Sequence, residues 1–211
     1  RAGNKSILFV APMSEDGTRL LSAGRIVYDG HRTQPTIEGT KFYKFRGNYY
    51  IFSPSGGVPT GWQVVLRSES PWGPYEERVV MAQGNTPVNG PHQGGWVETS
   101  TGEHWFLHFQ DKDAYGRVVH LQPMTWTEDG WPVIGEDPDG DGVGQPVLKW
   151  RKPDLPDSGV FQPADSDEFN SIRLGLQWQW HGVPSPYWSF VDVNEGHLTL
   201  YSVEQSLNLR N

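Results

Sequence analysis

Apolar and polar residues alternate along most of this chain, and each alternating run is short and closed by glycine, proline, aspartate or asparagine. In TIEGTKFYKFRGNYYIF, residues 36–52, the side chains alternate from Phe42 onward as in a strand with one face on a packed interior. No segment holds an apolar stripe at helical spacing for a useful length, because Gly, Pro or a β-branched run interrupts every candidate. The predicted class is all-β.

The strands recur as a unit. VAPMSEDGTRLL, RSESPWGPYEERVV and LQPMTWTEDGWPVI each give a strand end, a turn rich in Ser, Pro, Trp or Asp, and a short apolar strand. Met13 and Met124 hold equivalent places 111 positions apart with one copy between them, so the unit is roughly 55 residues, near the longer propeller repeats. Ahead of the second and third copies lie GTKFYKFRGNYYIFSPSGG and GGWVETSTGEHWFLHFQD, read as hairpins turning at Arg46-Gly47-Asn48 and Ser100-Thr101-Gly102. Four short strands per unit, repeated radially, is the pattern of a β-propeller blade. The chain is therefore expected to hold two blades and the outer half of an earlier one, about two and a half in all, too few to close a ring.

After VLKWRKPDLP the texture changes. FQPADSDEF reads as a polar linker, and LGLQWQWHGVPSPYWSFVDVNEGHLTLYSV resumes alternating strands around a turn at Asn194-Glu195-Gly196. The expected division is residues 1–162 as propeller and 163–211 as the opening strands of a β-sandwich, with the boundary near Pro163.

Composition narrows the partners. The chain has 211 residues and a formal charge of −8, with Lys+Arg 17 against Asp+Glu 25. No basic run exceeds two residues, which argues against nucleic acid or an anionic membrane as the main partner. No apolar run reaches the ~18 residues of a membrane span. Without cysteine there is no disulfide framework or thiolate metal site. The start, RAGNKSILFVAP, lacks an initiator Met and a signal-peptide layout. It reads as a fragment or processed product, with a secreted or periplasmic setting expected ahead of a cytoplasmic one.

Propellers hold ligands at the axial end of the central channel. Glu38 stands just before the innermost strand of its blade and is expected to face that channel; a solvated turn glutamate is the plain alternative. Three motifs bear on the choice. Ile37-Glu38-Gly39 ahead of an aromatic strand, NGPHQGGWVETSTGEHWFLHFQD, and above all AYGRVVHLQPMTW resemble glycoside hydrolase family 43. The likeness extends to the DEFN…LGLQWQW approach to a C-terminal sandwich. Within the family the chain is most similar to the exo-acting α-L-arabinofuranosidase and β-xylosidase branch. Thr40 follows Glu38-Gly39 where the family often has Pro.

The resemblance implies a five-bladed propeller and an inverting glycosidase that releases terminal arabinofuranosyl or xylosyl residues from plant cell-wall polysaccharides or oligosaccharides. Inversion uses one carboxyl to protonate the leaving oxygen and another to activate water on the opposite face. By the family pattern Glu38 is the general acid, and Arg117 orients it and contacts the sugar. The base and an Asp that tunes the acid are expected in the missing N-terminal blades, which leaves this chain inactive alone. Asp111 and Asp113 are poor substitutes, because the first ends a strand and the second sits in a hairpin turn.

The family also places a histidine on the channel axis, so His92 is expected to help hold a structural Ca2+ largely through water; no organic cofactor is implied. The DPDGDGVG tract, residues 137–144, matches the opening of an EF-hand loop, but Leu148 occupies the place of the closing glutamate. It reads as a solvated turn, with a surface calcium site as the alternative. Aromatic rings stack on sugar faces, and Phe52, Trp62 and Trp96 are the expected substrate-binding residues. Two further functional classes stay open: a non-catalytic carbohydrate-binding propeller and an endo-arabinanase of the same fold.

Overall fold

The computed structural model describes residues 5–162, 164–180 and 182–202. Among them there is no α-helix, and the chain divides into two compact units, Arg1–Leu155 and Pro156–Asn211. Pro163, where the sequence places the boundary, lies outside the described residues.

The first unit contains three antiparallel sheets. Strands β1 (Ile7–Val10) and β2 (Arg25–Asp29) form a two-stranded sheet. β3 (Lys41–Phe45), β4 (Asn48–Ser55), β5 (Trp62–Ser68) and β6 (Glu76–Met81) follow one another in a four-stranded sheet. β7 (His92–Glu98), β8 (His104–Asp111), β9 (Arg117–Trp126) and β10 (Pro132–Ile134) form the next. Sequential four-stranded meanders of this kind are propeller blades, and the fold is all-β with half a blade and two full ones.

The middle blade is covered on both faces, and its sequence shows why. Along β4 and β5, successive side chains leave on opposite sides of the sheet. Ile51, Val64 and Leu66 join Leu8 and Ile37 in a core against the half blade. Tyr50, Phe52 and Val65 turn the other way and meet Val80, Met81, Phe106, Met124, Trp131 and Ile134 in a core against the second full blade. A strand buried on both sides reads as a nearly continuous apolar run, as IF and VVL do here. In β3, by contrast, Phe42 is exposed while Tyr43 and Phe45 pack inward, so the alternation expected from Phe42 holds with the ring of Phe42 on the outer side.

The turns follow local chemistry. Arg46 and Gly47 link β3 to β4 as a two-residue loop with φ of 47° and 85°, the paired positive angles of a type I′ hairpin. Thr99 and Glu103 close the β7–β8 turn through a backbone bond of 2.8 Å, with Gly102 at φ 81°. In the second unit, β11 (Ser189–Asp192) and β12 (His197–Leu200) form a hairpin whose turn includes Asn194-Glu195-Gly196. Asp192 caps it by accepting bonds from the amides of Asn194 and Glu195. In the same unit the Trp178 indole donates to Asp167 and its ring packs on Phe169, while Trp180 meets Trp188 edge to face.

Candidate active site

One end of the two blades gathers the start of β3, the β4–β5 loop, the start of β7 and the β8–β9 hairpin. Glu38 reaches this end through a short segment fastened at every step. The amide of Thr36 donates to Ser6 Oγ at 2.8 Å, Ser55 Oγ and the Gly56 amide both donate to the Pro35 carbonyl, and the Glu38 amide donates to the Pro54 carbonyl. Ile37 is buried in the half-blade core. With Ile37 turned inward, Glu38 is turned out, its side chain 56% exposed.

The cleft it enters has a volume of about 750 Å3 and runs between β1 and residues 36–40. Among the described residues lining it, Glu38 is the only carboxylate.

His92 backs the acid. Its side chain is 1% exposed and its Nε2 lies 3.2 Å from Glu38 Oε1, a hydrogen bond between residues 54 positions apart. A β-bulge between His92 and Gly95, with Gln93 at φ 52°, sets the ring's direction. Two glycines make the approach possible. A Cβ on Gly39, itself at φ 56°, would lie 2.1 Å from the Gln93 side chain, and one on Gly61 would lie 2.2 Å from the Ser55 carbonyl. Glycine beside the acid is thus favoured by its left-handed backbone, and at Gly61 by the backbone packed against it. Gln93 and Gly61 were absent from the sequence reading, which holds no signal for a contact so remote.

Arg117 stands at the same end but begins β9, the third strand of its blade and not the innermost. It is exposed, and its guanidinium sits 4.8 Å from the centroid of the Phe109 ring. Phe109 in turn pairs with His92 across β7 and β8, with ring centroids 5.8 Å apart. A chain of contacts through Arg117, Phe109 and His92 therefore leads to Glu38; no direct bond joins Arg117 to the acid among the described residues. Phe109 is a site residue that the sequence reading missed.

The aromatic candidates divide. Phe52 is 0% exposed and wedged among Tyr43, Trp96, Phe106 and Trp126, which removes it from the sugar-stacking role expected of it. Trp96 packs on Tyr43, Phe45 and Trp126 and donates its indole N–H to His104, so it too serves the inter-blade core. Both corrections have one cause: an inward aromatic in a blade has a neighbouring blade to meet before it can meet a ligand. Trp62 differs. It lies at the acid's end of β5, half-buried, with its N–H on Gln34 Oε1 at 2.8 Å. Asp111 ends β8 and Asp113 opens a 3-10 turn, Asp113–Tyr115; neither lines the cleft of Glu38.

A calcium ion at His92 finds an unsuitable donor set among these residues. Calcium takes six to eight oxygens. Nε2 of the imidazole is already on Glu38, and Nδ1, buried and without a partner, faces the Gly61 backbone. Carboxylate oxygens of Asp137, Asp139 and Asp141 come within 4.8 Å of one another. Asp137 accepts bonds from the Gly140 and Gly142 amides and Asp141 from that of Val143, as in a self-capped turn.

Comparison with known proteins agrees with this architecture. Residues 1–132 match the family described as glycosyl hydrolases family 43, and residues 166–211 match the beta xylosidase C-terminal concanavalin A-like domain. A putative beta-xylosidase of Xylanibacter ruminicola is 49% identical over 92% of this chain and 36% of its own length. A non-reducing end alpha-L-arabinofuranosidase, BoGH43B of Bacteroides ovatus, is 34% identical over 74% of this chain and 31% of its own. The crystal structure of the GH43 BlXynB protein from Bacillus licheniformis superposes with a TM-score of 0.71 at 26% identity, covering 94% of this chain and 40% of that one. The chain spans about a third of the length of the curated relatives it matches. With both of its units matched in order, the chain belongs to glycosyl hydrolase family 43, with a C-terminal sandwich domain.

Proposed function

We propose that this chain contributes the general acid of an inverting glycosidase that removes terminal xylosyl or arabinofuranosyl residues from plant cell-wall glycans. The observation that carries the reading is Glu38 itself: a carboxylate turned into a cleft, held by one buried imidazole, and left with an oxygen that has no protein partner among the described residues. The names of the β-xylosidase and arabinofuranosidase relatives support the substrate class.

In this mechanism Glu38 gives its proton to the glycosidic oxygen as the bond to the anomeric carbon breaks. Water adds to that carbon from the opposite face and passes its proton to a second carboxylate. Glu38 is the one carboxylate among the described residues lining its cleft, and we assign the base to another carboxylate of the complete protein. His92 fixes the carboxyl's orientation, and Phe109 carries Arg117 toward the same site, where its forked N–H groups suit sugar hydroxyls. Trp62 remains the aromatic candidate for contact with the sugar.

Glu38→Gln in the active protein tests the assignment. Turnover of xylo- or arabino-oligosaccharides should collapse while sugar binding persists, and wild-type turnover in that variant would overturn the role of Glu38. One observation favours a second reading, a carbohydrate-binding propeller without catalysis: among the described residues no second carboxylate lines the cleft. Under that reading Glu38→Gln changes binding alone, in a protein with no turnover to lose.

A further inference from the structure

The end of the blades away from Glu38 carries another cleft, of about 350 Å3. It forms where the β3–β4 turn, the β7–β8 turn and the end of β9 meet residues 150–151. Following β7 from His92 to Glu98, at ~3.3 Å per residue, separates it from the acid by roughly 20 Å. Its walls include Arg46, Glu103, Trp105, Trp126, Trp150 and Arg151.

Two features leave this cleft open to a ligand. Trp150 is 45% exposed, a large flat ring at the surface. Arg46 is exposed, lies over the Phe45 ring, and pairs with no carboxylate among the described residues.

The cleft is also held rigidly. Glu103 Oε1 receives Arg151 Nη1 at 2.5 Å, and Oε2 receives the Trp105 indole N–H at 3.1 Å and the Asp154 amide at 2.8 Å. These bonds tie the segment carrying Trp150 to the start of β8, so the ring is supported before any ligand arrives. Glu103 spends both oxygens on the scaffold, which leaves ring face and guanidinium donors as the groups on offer. A flat apolar face beside forked donors suits a sugar, whose C–H face stacks on the indole while its hydroxyl oxygens accept N–H bonds.

We propose that this cleft is a second glycan-binding site, on the blade end opposite the acid, with Trp150 as its platform and Arg46 and Arg151 as hydroxyl donors. It is remote from the reacting bond and would hold a polymer chain against the protein. The choice of a xylan ligand rests on the function proposed above; the ring-and-fork chemistry does not.

Affinity electrophoresis of the chain in gels containing soluble arabinoxylan, with xylohexaose as competitor, tests the site. Wild type should be retarded. Trp150→Ala should bind about tenfold more weakly, the loss of one stacked ring, Trp150→Phe should retain most of the retardation, and Arg46→Ala should fall between. Equal retardation of Trp150→Ala and wild type overturns the proposal, as does a wild type that is not retarded. Loss of turnover in Glu38→Gln is a separate readout, so failure of the acid assignment and failure of this site are told apart.

Discussion

Glu38 and Glu103 stand at opposite ends of the same pair of blades and are used in opposite ways. Glu103 has both oxygens occupied, by an arginine, an indole and a backbone amide, and its side chain is 18% exposed. The Asp154 amide, followed by the Arg151 and Trp105 donors, holds its carboxyl below the usual carboxylate range against the opposing effect of burial. Among the described residues Glu38 has one side-chain partner, His92, and more than half of its side chain is exposed. A carboxylate saturated with donors is fixed as an ion and acts as a fastening. One left with a free oxygen beside a cleft is available for proton transfer. The two glutamates are the same residue type at the edges of similar hairpins, and the number of donors aimed at each separates their roles.

The largest effect that tests this contrast is on turnover. Glu38→Gln should lower kcat/KM by about a hundred- to ten-thousand-fold, the range for loss of a general acid, as measured with oligosaccharides that have poor leaving groups. A fall of less than a few-fold would place Glu38 with the fastening carboxylates.

The next effect is on stability and comes from a buried imidazole used differently from His92. His108 stacks on His120 at 5.3 Å, shares a contact with Gln122, and is almost fully buried. Burial pushes its pKa down from 6.5 to about 4, with the neighbouring His120 acting in the same direction and a bond to the Phe109 carbonyl opposing. The folded protein therefore holds His108 neutral while the unfolded chain protonates it below about 6.5. Stability from this group is present above that pH and lost as the pH falls toward 4, by at most ~3 kcal/mol. Urea titrations from pH 7 to 4 should show that slope, and His108→Gln should flatten it.

Gly39→Ala is expected to cost ~1–2 kcal/mol, because a left-handed backbone is imposed on a residue with a Cβ. The new methyl also meets Gln93, so the variant should lose turnover without a matching change in binding if Gln93 and His92 align the acid; thermal melts and separated kcat and KM values check both parts. The smallest effect is that of Glu103→Gln, which should lower Tm by a few degrees and leave turnover unchanged. A turnover loss there would erase the distinction between the two glutamates.

Much of the fold was legible in local pattern. The hairpin turns at Arg46-Gly47 and around Gly102, the turn ending at Gly196 and the four-strand repeat all lie where alternation and turn residues put them. Glu38 was legible as a residue at the start of a blade because it lies three positions ahead of β3. The aromatic platform was not legible. Phe52 and Trp96 carry the same alternation as ligand-facing rings would, and period two does not say whether a strand's buried face meets solvent, substrate or another blade. His92 was singled out, but for an ion; its contact with Glu38 spans 54 positions and leaves no mark in either local segment. The place of Arg117 on the third strand of its blade was not legible, since strand order within a blade is set by pairing partners and not by the arginine's neighbours.

By itself the sequence determined the strands, their turns, the blade repeat and the carboxylate just ahead of β3, because each depends on residues within a few positions of one another. Only the tertiary structure decided that Glu38 keeps a free oxygen while Glu103 spends both, and that Phe52 belongs to a core. Hydrogen-bond saturation and burial are counts of neighbours brought from distant parts of the chain, and those neighbours exist only once the blades have packed.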